Sequence, residues 1–313
     1  MRLLALLIVL IPGPLLAADA FPLRDGDRVA LVGNTFVERA QESGYLELAL
    51  TLSVPKSDVV FRNLGWSGDV VTARARRYFG KTEEGFEHLL RHIDLVKPTV
   101  ILVSYGTNEA FAGNLGREEF IQGYERLLNE LSKRTDRIAL ITSPPLNPEK
   151  SPAPRIAERV NDELAWQVEA LRDLTKRRDL QLIDVFTPLR NVFTQPNDGA
   201  GDWTTNGMHL TPRGYRLAAE VILNRAAGRQ ESAESLIADL AKTKPDAATE
   251  KLREAIMKKN RLFFHRHRPE NETYLRGFRK HEQGNNAKEI YVFEDLTQEM
   301  DQQIFTLRQA VSK

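Results

Sequence analysis

Five short runs rich in Val, Ile and Leu, at residues 28–32, 58–63, 99–105, 137–142 and 180–186, set the strongest limit on what this chain folds into. Several are apolar throughout rather than alternating, the pattern of parallel strands covered on both faces. Helical patterns lie between them. Phe120, Tyr124, Leu127, Leu128 and Leu131 share one helical face, and so do Ile156, Val160, Leu164, Val168, Leu171 and Leu174. Repeated strand–helix units predict an α/β fold, a doubly wound three-layer sandwich on a five-stranded parallel sheet. In that architecture ligands bind beyond the carboxyl ends of the strands.

The segments at those ends are polar and rich in glycine. Gly33-Asn34-Thr35 follows the first run and "NLGWSGD" ends the second. "YGTNEA" closes the third, and "SPPLNP" follows the fourth. Beyond the fifth comes "GDWTTNGMHLTPRGY", residues 201–215. Such ends on one sheet imply a single shared site. A backbone N–H of Thr35 at a helix start would favour negative charge. Gly68 would let backbone approach a reacting carbon. Asn108 offers an amide donor, and His209 the side chain suited to base work near neutral pH. The plainer readings are a turn for Gly68, a helix cap for Asn108 and a hydrogen-bonded core histidine for His209.

Taken in order, these blocks resemble the SGNH branch of the GDSL-type hydrolases over roughly residues 27–227, and the resemblance implies the flavodoxin-like sheet of that family and an ester-cleaving activity. It places Thr35 at the nucleophile position, where the family has serine. Gly68 and Asn108 fall at the oxyanion-hole positions, His209 at the base, and Asn206 where the triad acid belongs. Threonine keeps the hydroxyl and adds a methyl that stiffens the rotamer. An amide for the acid is the graver change, because the acid fixes the imidazole tautomer. Asp198 or Asp202 in the same loop is the candidate to replace it. No cofactor is expected.

Asn34 and Asn206 both stand where the family has carboxylates, so the pocket is expected to lose two negative charges. The segment 261–286 interleaves Arg261, Arg266, Arg268, Arg276 and Arg279 with Phe263, Phe264, Tyr274 and Phe278. If that arm reaches the crevice, the lost acids and the basic arm would favour an anionic ligand such as a sulfated or uronic-acid sugar, and Asn34, Asp202, Arg266, Arg268 and Arg279 are the candidate substrate-binding residues. The alternative is a solvated arm whose aromatics cover the domain.

The ends of the chain read differently. Arg2, an apolar run over residues 3–11, a Pro-Gly-Pro break and Ala18-Asp19-Ala20 have the layout of a secretory signal peptide, residues 1–20. Export to a periplasm or the exterior is the expectation, with no stable membrane association after cleavage. A net charge of +1 gives no reason to expect nucleic-acid binding, and the lack of cysteine removes disulfides and thiolate chemistry. Residues 21–227 form the hydrolase-like domain. Residues 228–313 are expected to be a helical extension packed on it, with helices at 232–241 and 247–259. A further helix begins near Asn286 and carries Ile290, Phe293, Leu296, Met300, Ile304, Leu307 and Val311. No metal site is expected. His88 and His92, at i and i+4, are expected at the surface. His265 and His267 alternate with arginines that repel a cation, and Asn271-Glu272-Thr273 is a sequon.

Three functions are compatible with this reading. The first is an exported esterase, a carbohydrate deacylase or acetylesterase working through an acyl-enzyme on a small-molecule or carbohydrate ester. The second is a non-catalytic relative that binds an anionic glycan in the same crevice. The third is an interaction protein docking through its extension.

Overall fold

The structure, a computed structural model, describes residues 21–195, 201–242, 245–269, 272–275, 279–282 and 286–311. In chain order the elements are β1 Arg28–Gly33, α1 Thr35–Ser43, α2 Tyr45–Ser53, β2 Val60–Gly65, α3 Thr82–Val96, β3 Val100–Ser104, α4 Thr107–Ala110, α5 Arg117–Leu131 and β4 Ile138–Ile141. They continue with α6 Pro154–Arg178, β5 Gln181–Ile183, α7 Phe186–Phe193, α8 Pro212–Ala226, α9 Ala233–Lys242, α10 Ala247–His267, α11 Glu272–Leu275 and α12 Val292–Val311.

The strands form one parallel five-stranded sheet in the order β2-β1-β3-β4-β5. Successive side chains point to opposite faces, so each strand feeds two cores. Val29, Leu31 and Leu102 pack with residues of α1, α2, α7 and α8. Ala30, Val32, Ile101 and Val103 pack with residues of α3, α5 and α6 on the other face. Every residue of β3 is buried, which is why its sequence does not alternate. Each such aliphatic side chain contributes about 1.5–3 kcal/mol relative to exposure.

The chain leaves β1 toward β2 and then crosses to β3 on the opposite side, so the order reverses between β1 and β3. A crevice opens at such a switch point, beyond the carboxyl ends of the two strands. Helix α1 starts in that crevice. Asn34 caps it, its Oδ1 accepting the Phe36 N–H at 3.1 Å, and Gly44 at φ 70° ends it. Gly33 is required where β1 meets β3, because a Cβ there would lie 2.3 Å from the Ser104 carbonyl oxygen.

Several sequence expectations shift. The second strand runs Val60–Gly65 rather than 58–63, because parallel pairing sets Gly65 opposite Gly33. The fifth stops at Ile183, since Phe186 already opens α7. Ile156 is 47% exposed, lying in the first turn of α6 before that helix reaches the core. Helix α10 continues to His267 and absorbs the first part of the basic arm. The last helix starts at Val292 after a 3-10 turn at Asn286–Tyr291, and Leu296 on it is exposed. His88 and His92 are buried, not at the surface, because Trp66, Tyr78 and His267 at the end of α10 pack around their rings.

Helix α10 lies on α1, α2, β2 and α12. Leu48 of α2 shares an apolar cluster with Leu252 and Ile256 of α10 and with Met300 and Ile304 of α12. At the same joint Lys259 is fully buried and bonded to Glu47 at 2.7 Å, to the Phe61 carbonyl at 2.8 Å and to Asn260 Oδ1 at 2.7 Å. Burial pulls the Lys259 ammonium below its usual range, while Glu47 opposes that. Arg62 on β2 reaches Asp301 on α12 through two hydrogen bonds. Losing one partner of such a buried pair leaves a desolvated charge, so the contact fixes where the helices dock. No helix of the described residues is long and apolar enough to cross a membrane. The signal-peptide segment, Asp198, Asn271, Arg276 and Phe278 lie outside the described residues.

Candidate active site

A small cleft opens at the switch point. Asn34, Thr35, Phe36 and Arg39 line it from α1 and its cap, Thr107 and Asn108 from the start of α4, and Pro144 and Leu146 from the loop after β4. Met208, His209 and Leu210, ahead of α8, and Tyr215 on it close the cleft. Thr35 and His209, 174 positions apart by their numbers, therefore share one small volume.

One side of this cleft is organised around Thr35. The Gly68 N–H donates to Thr35 Oγ1 at 3.0 Å. Gly68 holds φ 75°, a left-handed conformation that favours glycine, and a Cβ there would meet nothing within 4 Å. The loop that carries it is tied down on every side. Glu38 accepts from the Ser67 N–H at 2.7 Å and from its hydroxyl at 2.8 Å. Asn108 Nδ2 donates to the Asp69 carbonyl at 2.6 Å, and the amide has a second N–H to offer. Glu109 accepts from the Val71 N–H at 2.7 Å. Beneath the loop Asp69 Oδ2 binds Arg76 Nε at 2.7 Å and the Tyr105 hydroxyl at 3.1 Å, all fully buried. Burial pushes the Glu109 carboxyl up to about 7, against the pull of the Val71 N–H. Burial likewise raises the Tyr105 phenol.

The other side is built on His209 and Asn206. Asn206 Oδ1 accepts the backbone N–H groups of Met208 at 3.2 Å and His209 at 2.9 Å. Those two donors fix which end of the amide is oxygen, so its NH₂ is the group that meets His209 Nδ1, at 3.4 Å. A carboxylate in this position would offer its second oxygen to an Nδ1 proton. An amide nitrogen offers only hydrogen, so Nδ1 must accept and the proton of neutral His209 sits on Nε2. That is the tautomer in which Nε2 cannot take a proton. Burial lowers the affinity of His209 for a second proton, Arg39 lowers it further, and Glu42 raises it.

Of the remaining sequence candidates, Asp202, Arg266, Arg268 and Arg279 lie outside the cleft lining. Asp202 pairs with Lys150 at 2.8 Å and lines a different pocket with Trp203 and Phe193. Arg266 pairs with Glu294 at 3.2 Å, and Arg279 with Glu282 at 2.6 Å. Arg268 binds Glu38 and lies 3.8 Å from the Trp66 ring centroid, behind the loop rather than in the cleft. Arg266, Arg268 and Arg279 are therefore turned to carboxylates of the body and of the extension rather than into the cleft. Asn34 does line the cleft; its Nδ2 is buried with no hydrogen-bond partner.

Four residues at this site were missed in the sequence. Arg39 stands at i+4 from Thr35 on one helix face, a spacing that a helical reading of residues 35–43 contains. Glu109 follows Asn108 directly. Glu38 and Arg76 carry no local signal, because their partners come from other elements.

Behind the loop His88, His92 and His267 form a buried cluster with ring centroids 4.2 and 5.2 Å apart along the series. His267 Nδ1 donates to the Phe263 carbonyl at 2.9 Å. Burial first, then the charges of Arg76 and Arg268, hold its pKa down at about 3. Among the described residues no group of three His, Cys, Asp or Glu side chains has the arrangement to hold a metal ion.

The GDSL-like lipase/acylhydrolase family model matches residues 32–217. The chain belongs to that family. One solved structure shares the fold over nearly the whole chain. A gut microbial diltiazem-metabolizing enzyme is similar at 12% identity and TM-score 0.64, over 94% of this chain and 97% of that one. The likeness thus includes the extension. A lipase/acylhydrolase from Enterococcus faecalis is similar at 19% identity and TM-score 0.47, over 67% and 98% of the two chains. An acetylxylan esterase from Geobacillus stearothermophilus, solved as a catalytic mutant, shows 15% identity and TM-score 0.48 over 67% and 99%. No match was found among curated protein sequences.

Proposed function

We propose that this protein is an exported ester hydrolase that removes a short acyl group from a carbohydrate. The observation that carries the proposal is the Gly68 N–H placed 3.0 Å from the Thr35 hydroxyl oxygen, in a cleft that Asn108 and His209 also line. Thr35 Oγ1 attacks the acyl carbonyl while its proton passes to His209 Nε2. The carbonyl oxygen becomes an oxyanion beside the N–H groups of Gly68 and Thr35 and the Asn108 amide. The bond to the alcohol breaks, His209 returns the proton to that oxygen, and water releases the acyl group from Thr35 by the same steps.

Membership of an acylhydrolase family supports ester cleavage. The modest cleft suits a short acyl group, and export rests on the sequence of residues 1–20. The Asn206 contact makes the reaction pass through the less stable His209 tautomer, so turnover is expected to be slow. That same contact favours a second reading, a non-catalytic relative that holds an ester or glycan without cleaving it. A panel of short acyl esters and acetylated sugars separates the two. Slow turnover abolished by both Thr35→Ala and His209→Ala supports the hydrolase. Turnover of no ester, with binding retained, establishes the second reading.

A further inference from the structure

No carboxylate lines the cleft among the described residues, and Arg39 is its permanently charged lining residue. It stands one helical turn beyond Thr35, close enough for its charge to act on both His209 and Tyr215. Its Nε is buried and has no hydrogen-bond partner. The ionic partner of its fork is Glu42 at 3.3 Å, itself 61% exposed, a contact that water and ions readily exchange. Asn34 adds a second unanswered donor. Its residue is 1% exposed and its Oδ1 is committed to capping α1, while Nδ2 lacks a partner. A buried donor left unmade is costly, and here two of them belong to residues lining one cleft at the start of α1, the positive end of that helix. Phe36, Pro144, Leu146 and Met208 supply the apolar part of the same lining.

An ordinary surface arginine with an i+3 glutamate would account for the Glu42 contact alone. It would not account for a buried Nε, for an orphaned amide in the same lining, or for the lack of any acid there. We propose that Arg39 is the specificity-determining residue of the cleft and selects substrates with a carboxylate or sulfate beside the ester. Nε and one terminal nitrogen of the guanidinium give two parallel N–H groups that match two oxygens of either anion. Asn34 Nδ2 donates to the anion or to the ester oxygen next to it. The acyl group then lies on the apolar lining, and the ester carbonyl falls near Thr35. The ester part of this inference rests on the proposed function, whereas the binding part does not.

The test uses the full chain carrying Thr35→Ala, so that no probe is consumed. Calorimetry measures binding of an O-acetylated glucuronic acid, an O-acetylated glucose 6-sulfate and an O-acetylated glucose. The two anionic probes separate carboxylate from sulfate. At least one of them is expected to bind about ten-fold tighter than the neutral sugar. Adding Arg39→Gln should abolish that preference, and Arg39→Lys should retain part of it, since the charge remains and the fork is lost. Thermal melts of each variant establish that it is folded. Equal binding of all three sugars, no measurable binding of either anion, or a preference unchanged by Arg39→Gln overturns the inference. The unmodified protein, assayed on the same sugars, separates this from the hydrolase reading. Preference without turnover defeats the hydrolase and leaves Arg39 standing. Turnover without preference does the reverse.

Discussion

The two sides of the cleft are built unequally. The side that would stabilise an oxyanion is complete and braced: Gly68, Ser67, Asp69 and Asn108 are held through Glu38, Glu109, Arg76 and Tyr105. The side that would move a proton keeps its histidine but couples it to an amide across 3.4 Å. Electrostatic stabilisation depends on preorganised donors, and those are present. General-base catalysis by His209 would need a lone pair on Nε2, and the Asn206 contact favours a proton there instead. A cleft of this kind can bind and polarise an ester far better than it can deprotonate its own hydroxyl.

The largest effect is expected where the weaker side is repaired. Asn206→Asp supplies an acceptor for Nδ1–H and should raise kcat on a short acyl ester by about a hundred- to ten-thousand-fold, with KM little changed. An unchanged kcat would mean that the two sides are not as unequal as their hydrogen bonds imply. Next comes damage to the stronger side. Asn108→Ala should lower kcat by about a hundred- to thousand-fold in the Asn206→Asp background, where the chemistry is fast enough to read. A loss in KM alone would assign Asn108 to binding.

A smaller effect tests how the extension supports the braced side. Arg268 binds Glu38, Glu38 holds Ser67, and the next N–H faces Thr35. Arg268→Ala should lower kcat by about ten-fold through slight misplacement of that N–H, leave KM nearly constant, and be rescued by Arg268→Lys. A change in KM with kcat constant would remove Arg268 from the brace.

The smallest effect is on stability against pH. His267 has a native pKa near 3, against 6.5 for the ordinary side chain. Between those values the unfolded chain binds a proton that the native state refuses, so stability is full above pH 6.5 and falls as pH drops toward 3. His88 and His92 adjoin His267, and the charges of Arg76 and Arg268 oppose its protonation. Thermal melts from pH 7.5 to 4 should show the loss, and His267→Gln should flatten it by up to about 1.4 kcal/mol per pH unit. An unchanged slope in that variant would place the acid sensitivity elsewhere.

What the sequence made legible follows from how local each signal is. Parallel strands buried on both faces are apolar throughout, so runs such as Val100–Ser104 identify themselves. The polar ends of those strands converge by topology, so Thr35, Asn108 and His209 fall in one crevice on strand order alone. The arm was not legible. Arg268 is as basic as any cleft arginine, and only the fold reveals that its partner is Glu38, 230 positions earlier. His88 and His92 read as surface residues because the rings that cover them, Trp66, Tyr78 and His267, come from other parts of the chain. Arg39 stood one turn from Thr35, but a helix face shows itself as a cleft wall only once α8 stands opposite it. The consequence of Asn206 needed the two backbone donors that fix its amide, which no sequence displays.

The tautomer of His209 is the point on which the comparison turns, and nitrogen-15 NMR of the imidazole reads it directly. Above the His209 titration, the native protein should carry its proton on Nε2, and the Asn206→Asp variant should carry it on Nδ1. A native His209 protonated on Nδ1 would contradict the account, because the amide would then not control the base.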